Sequence, residues 1–281
     1  MNTYLEIKKI IGNEYANGEA SAMALMLLED VAGISRTQAL MGENVDEDTM
    51  VTLRTMAERI ANGEPLQYVT GKAEFCGMSF KVNSDVLIPR PETEELVEWI
   101  VDVAKRKEGR VRVLDIGTGS GCIAVSIAKN VGTAQVDAWD VSEGALRTAR
   151  ENAASNGVDV RFERVDVLSF DGKTSNEKYY IIVSNPPYIC KSEAKDMERN
   201  VLEHEPHIAL FVDDDDPLLF YRRIADIGNH LLNDGGLLFY EINRQYGAET
   251  IAMLQASGYS NIVIRQDQFG NDRMAKGEKE N

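Results

Sequence analysis

The sequence predicts an α/β fold in which a small helical domain and a β-hairpin precede a doubly wound, mainly parallel sheet. Three observations carry that expectation. From about residue 93 onward strand-like and helix-like segments alternate, as parallel βαβ units require. A glycine-rich turn follows the first of those strands, and the first 70 or so residues carry helical signals only. The 281 residues therefore divide into a helical bundle over 1–71, a hairpin connector over 72–91 and an α/β domain over 92–281.

In the first part, Leu53, Met56, Ala57 and Ile60 recur at i, i+3, i+4 and i+7 after the acidic start Asp46-Glu47-Asp48 and before Asn62-Gly63. That spacing predicts an amphipathic helix. Ala22 to Val31, rich in Met and Leu and ending at Gly33, predicts a second, more buried one. The connector breaks into Glu74 to Gly77, Phe80 to Val82 and Val86 to Pro91, short aromatic and β-branched runs separated by turn residues. Strands are then expected over Val111 to Ile116, Gln135 to Trp139, Val160 to Val165, Tyr180 to Ser184, Leu237 to Glu241 and Ile262 to Arg265.

Composition narrows the function. Lys and Arg number 30 against 46 Asp and Glu, a formal charge of −16, which disfavours long nucleic acids as partners. No apolar run reaches the length of a membrane helix, and Met1 to Glu6 lacks the pattern of a signal peptide. Cys76, Cys122 and Cys190 are odd in number and widely spaced, so neither a disulfide framework nor a metal site is expected, and a reducing cytoplasm suits them.

The turn after the first strand reads Asp115-Ile116-Gly117-Thr118-Gly119-Ser120-Gly121. Alternate glycines allow close backbone approach and place amide donors at a helix start, so a nucleotide-like ligand is expected there. Position 122 is Cys122, where the dinucleotide fingerprint needs glycine. Asp140, closing the second strand, stands where an acid accepts ribose hydroxyls. The loop and this acid together resemble the S-adenosylmethionine site of class I methyltransferases. That resemblance implies S-adenosyl-L-methionine as cofactor and S-adenosyl-L-homocysteine as product. It also implies that Asp166 or Val167, at the end of the third strand, reads the adenine, with a solvated strand end as the alternative for Asp166.

Ser184-Asn185-Pro186-Pro187-Tyr188 ends the fourth strand. Ligands of open α/β sheets bind at the carboxyl ends of strands, so this loop faces the same crevice as the glycine loop. Its prolines remove two backbone donors and leave rigid acceptors. A planar amide nitrogen is a poor nucleophile because its lone pair is delocalised. If the Asn185 oxygen and the Pro186 carbonyl accept its two N–H bonds, the nitrogen is held with its reactive direction toward a methyl donor, and the positive charge it develops is stabilised. Tyr188 is expected to stack on the planar group. Taken by itself, Asn-Pro-Pro-Tyr is equally a stiff turn.

Over nearly its whole length the sequence resembles the release-factor glutamine methyltransferase family. The shared stretches are Gly63 to Tyr68 with Gly71, Leu87 to Glu94, the glycine loop, Asn185 to Tyr188, Glu205-Pro206-His207 with Ala209-Leu210, and Phe220-Tyr221-Arg222. The resemblance implies methylation of the Gly-Gly-Gln glutamine of peptide-chain release factors. It assigns catalysis to Asn185, Pro186 and Tyr188 and substrate contact to Pro187 and Arg90 as well, with the N-terminal helices gripping the substrate protein. A monomer without membrane attachment is expected. Three alternatives stay open: a glutamine methyltransferase for a ribosomal protein, an adenine N6 methyltransferase, and a cofactor-binding adaptor without catalysis. Arg90, between two prolines, also reads as a structural joint. The run Asp213-Asp214-Asp215-Asp216 departs from the family and reads as a solvated loop, and Glu203 to His207 lacks metal-ligand spacing, so no metal is expected.

Overall fold

The structure, a computed structural model, describes residues 2–171 and 177–280. It divides into two compact units, Met1–Lys72 with Met197–His204, and Ala73–Asp196 with Glu205–Asn281. The first unit therefore contains a short stretch that lies far away in sequence.

Five helices build most of that unit: α1 (Thr3–Ile11), α2 (Asn17–Ala32), α3 (Arg36–Leu40), α4 (Glu47–Ala61) and α5 (Leu66–Thr70). Asp46 caps α4 by accepting the Thr49 N–H at 2.9 Å, and two acids in its first turn favour the helix dipole. The face formed by Leu53, Ala57 and Ile60 is buried with Met56 packed beside it, as the spacing predicts. α2 starts at Asn17, earlier than the apolar run suggests, and stops where Gly33 turns left-handed at φ 65°. Ile7, Ile11, Leu27 and Leu28 complete a core that belongs to this unit alone.

The hairpin pairs β1 (Lys72–Phe75) with β2 (Met78–Lys81). Cys76 and Gly77 both hold positive φ, 49° and 68°, the two-residue turn whose twist matches the strands. Phe75 and Phe80 meet edge to face at 5.9 Å and join the core of the second unit.

In that unit α6 (Pro91–Lys105) leads into β3 (Val111–Ile116), α7 (Cys122–Asn130), β4 (Ala134–Asp140), α8 (Glu143–Ser155), β5 (Val160–Arg164) and β6 (Tyr179–Ser184). Next come β7 (Ile189–Cys190), a 3₁₀ turn over Lys191–Asp196, α9 (Arg199–His204, in the first unit), α10 (His207–Leu210) and β8 (Phe211–Val212). α11 (Leu219–Leu231), β9 (Leu232–Glu241), α12 (Gly247–Ala256), β10 (Tyr259–Gln266) and β11 (Asp272–Lys279) complete it. The sheet runs β10-β11-β9-β6-β3-β4-β5. Its five strands from β9 to β5 are mutually parallel, and β11 lies antiparallel between β9 and β10. This is the class I methyltransferase arrangement expected from the sequence. Strand side chains alternate between two cores: Val113, Ile181 and Phe239 face α6 and α7, while Leu114, Ile182 and Tyr240 face α11 and α12. Burial on both faces explains the continuous apolar runs.

β11 was not expected. Its sequence, Asp-Arg-Met-Ala-Lys-Gly-Glu-Lys, has no β-branched residue, and only Met274, Ala275 and Gly277 are buried. Ladder bonds to strands on both sides, rather than propensity, hold it.

Candidate active site

β3 starts the sheet, β4 lies on one side of it and β6 on the other, so a crevice opens at the carboxyl ends of these strands. A cavity of 350 Å³ occupies it. Gly117 to Ser120, Asp140, Asp166, Val167 and Asn185 to Pro187 all line this one cavity, together with Arg90 and Thr93 from the connector and α6. Asp115, Gly121 and Tyr188 stand behind the lining.

The glycine loop is tied down mainly by the end of β4. Gly117 and Thr118 donate their amides to the Trp139 carbonyl at 2.8 and 3.0 Å, Gly121 to the Thr118 carbonyl at 2.8 Å, and Gly119 to Asp140 Oδ2 at 2.9 Å. The amide donors expected to face a ligand are thus largely spent on the end of β4. Gly121, at φ 80°, caps α7, and a Cβ there would sit 3.0 Å from the Ala149 Cβ of α8. Only glycine lets the two helices approach this closely.

What the site offers a ligand is acceptors. Thr118 Oγ1 donates to Asp115 Oδ2 at 2.6 Å, while Asp115 Oδ1 is buried with no hydrogen-bond partner, although the Ala124 N–H lies near enough to favour its charge. Burial, with a contribution from the Asp140 charge, pushes the Asp115 carboxyl up to about 7. Asp140 Oδ1 accepts the Ser142 N–H at 2.9 Å, and its carboxyl is also raised, chiefly by burial. Each Asp140 oxygen holds one amide and keeps a lone pair free. Such a site suits a ligand rich in donors and positive charge rather than a phosphate. An α-ammonium group, a sulfonium and two ribose hydroxyls are of that kind, so the residues fit S-adenosylmethionine. Asp166 accepts the Leu168 N–H and the Ser169 hydroxyl, each at 3.0 Å, and the Val167 carbonyl accepts Arg223 Nε–H at 2.8 Å, which fixes this edge of the cavity.

On the opposite side, Ser184 donates to the Ile116 carbonyl at 2.7 Å and ties the ends of β6 and β3 together. Asn185 donates through Nδ2 to Thr93 Oγ1 at 3.3 Å. Thr93 in turn donates to Glu241 Oε2 at 2.6 Å, and Tyr188 donates to Glu241 Oε1 at 2.9 Å. Tyr188 packs, partly buried, against the core that holds Tyr221 and is not among the cavity-lining residues, and burial with the nearby Glu241 charge raises its hydroxyl well above the ordinary value. Burial also raises the Glu241 carboxyl, against the hydrogen bonds from Thr93 and Tyr188.

Arg90 lines the cavity and is at the same time a joint. Its guanidinium donates to Glu205 Oε1, and Glu205 Oε2 accepts the Ile88 N–H at 3.1 Å. Glu205, Thr93 and Glu241 are therefore site-building residues that the sequence left unassigned. A carboxylate closing an otherwise apolar strand, as Glu241 does, was the available signal. In the acidic run, Asp213 pairs with Lys191, Asp214 accepts the Ser192 N–H at 3.0 Å, and Asp216 pairs with Arg222. Among the described residues no cluster of His, Cys, Asp and Glu has metal-binding geometry, and no helix is long and apolar enough to cross a membrane.

The Methyltransferase small domain model matches residues 95–207, and the PrmC N-terminal domain model matches residues 13–71. A release factor glutamine methyltransferase of Bacteroides thetaiotaomicron is 45% identical, with 95% of this chain and 96% of its own length aligned. That of Flavobacterium psychrophilum is 42% identical, over 92% and 91%. A methyltransferase of Pyrococcus furiosus shares the fold at a TM-score of 0.52 and 18% identity, over 73% of this chain and 91% of its own. The chain belongs to the release factor glutamine methyltransferase family.

Proposed function

We propose that this protein transfers a methyl group from S-adenosylmethionine to the side-chain amide nitrogen of the Gly-Gly-Gln glutamine in peptide-chain release factors, working in the cytoplasm. The observation that carries this is the shared cavity. Acceptor groups suited to a cationic, hydroxyl-bearing cofactor lie on one side of it, and Asn185 with Pro186 on the other. S-adenosylmethionine supplies the electrophilic methyl group. Asp140 takes ribose hydroxyls, Asp115 supports the charged end of the cofactor, and Asp166 with Val167 borders the adenine. Asn185 Oδ1 and the Pro186 carbonyl accept the two N–H bonds of the glutamine amide and hold its nitrogen in line for transfer. As positive charge grows on that nitrogen, the same two dipoles stabilise it. The alkylated nitrogen is acidic and loses its proton to solvent without a dedicated base.

The helical unit is proposed to grip the release factor. It has a core of its own, and Leu40 and Met41, 57% and 82% exposed, offer apolar surface to a protein partner. Mass spectrometry of release factor incubated with the protein and S-adenosylmethionine tests the whole assignment, with ribosomal protein and RNA as parallel substrates. One added methyl on the Gly-Gly-Gln glutamine is expected, with kcat falling about 1000-fold in Asn185→Ala. Methylation of ribosomal protein or RNA instead would overturn the substrate. No methylation of any of them, with cofactor bound, would favour an adaptor.

A further inference from the structure

An asparagine side chain has two ends of nearly equal shape and opposite hydrogen-bonding character. If Asn185 presented its NH₂ to a substrate amide, donors would face donors and the nucleophile would be repelled. Something must therefore choose the end. We propose that Thr93 and Glu241 are positioning residues that lock Asn185 with its oxygen left for the substrate amide. This rests on the acceptor role given to Asn185 above.

Proton bookkeeping decides the direction. Glu241 is 1% exposed, and as a carboxylate it accepts only. It takes the Thr93 hydroxyl at 2.6 Å and the Tyr188 hydroxyl at 2.9 Å, one on each oxygen. The single Thr93 proton is then committed, and Thr93 Oγ1 can only accept from its other neighbour. That neighbour is Asn185, which meets it with Nδ2 at 3.3 Å. Oδ1 is consequently turned away from Thr93. The chain of bonds joins the start of α6, the loop after β6 and the last residue of β9. A group able to donate in place of Glu241 would reverse the Thr93 hydroxyl and with it the preferred end of Asn185.

The test uses the full-length protein with release factor, measuring kcat and KM, and measuring S-adenosylhomocysteine affinity by calorimetry as the check on folding. Thr93→Val keeps the shape and deletes the hydroxyl, and kcat is expected to fall about 100-fold while KM and cofactor affinity stay close to wild type. Thr93→Ser should restore most of the rate, and Glu241→Met, which keeps the length and removes both acceptors so that the Thr93 proton can turn to Asn185 Oδ1, should repeat the loss. In an Asn185→Ala background Thr93→Val should cost nothing more, because it acts through a side chain already removed. Should Thr93→Val lose cofactor binding, Glu241→Met carries the same comparison. Near wild-type kcat in Thr93→Val and Glu241→Met while Asn185→Ala is dead would overturn the relay alone. So would an equal loss from Thr93→Val with and without Asn185. Full turnover by Asn185→Ala would instead overturn the acceptor role itself, and the relay with it.

Discussion

The two sides of the cavity are built on different length scales. On the glycine-loop side the bonds are local: Thr118 holds Asp115 three positions away, and Asp140 holds Gly119 across 21. On the Asn185 side, Thr93 is 92 positions from Asn185 and 148 from Glu241. The local side needs only one turn and one neighbouring strand to exist, whereas the other exists only once α6, β6 and β9 have met. Recognition of a small ligand can be encoded in a short motif. Orientation of a reactive group relies on the assembled sheet.

Gly121→Ala is the harshest way to break the local side. It forces a side chain into a left-handed conformation, costing about 1–2 kcal/mol, and presses a methyl group to within 3.0 Å of Ala149. With overpacking of about 1–3 kcal/mol added, chemical denaturation should show stability lower by about 3 kcal/mol, with cofactor affinity reduced as well. A loss below about 1 kcal/mol would mean that α7 and α8 do not depend on this contact.

The same contrast explains what was legible in the sequence. Asp115, Gly117 to Gly121, Asp140 and Asn185 to Pro187 could be picked out because each sits at the end of a strand whose apolar run announces it. The strand Val111–Ile116 matches its expected bounds, since both ends are marked by charge or glycine. Thr93 and Glu241 carry no motif of their own, and their meaning lies in a contact that no spacing encodes. Glu205 was visible as part of Glu-Pro-His, but its partners Ile88 and Arg90 lie 117 and 115 positions away. β11 escaped for a different reason: a strand stabilised by neighbours on both sides needs little propensity, and its Lys and Glu read as a polar tail.

Asp115→Asn sharpens the electrostatic half of the comparison. With its carboxyl at about 7, Asp115 is increasingly protonated as pH falls through that value, and only the ionised form attracts a cationic cofactor. Affinity should therefore rise with pH, and be roughly tenfold weaker at about pH 6 than at about pH 8. Asp115→Asn should flatten that profile and bind weakly throughout. A wild-type profile already flat over this range would show that Asp115 does not sense the cofactor's charge.

The mildest substitution separates two accounts of Tyr188. If the ring stacks on the substrate amide, Tyr188→Phe keeps the stacking surface and both kcat and KM should stay at wild type. If Tyr188 acts through Glu241, the loss of its hydroxyl leaves one buried carboxylate oxygen without a donor, worth about 1 kcal/mol of stability. The Thr93 bond at 2.6 Å survives, so the end of Asn185 that faces the substrate is still chosen, only less firmly. A fall of about threefold in kcat at constant KM is expected, since partial loosening costs far less than the roughly 100-fold of full misplacement. Its hydroxyl bond to Glu241 and its place against the core rather than among the cavity-lining residues favour this second account. Wild-type kcat and KM in Tyr188→Phe would return Tyr188 to the substrate and detach it from Glu241.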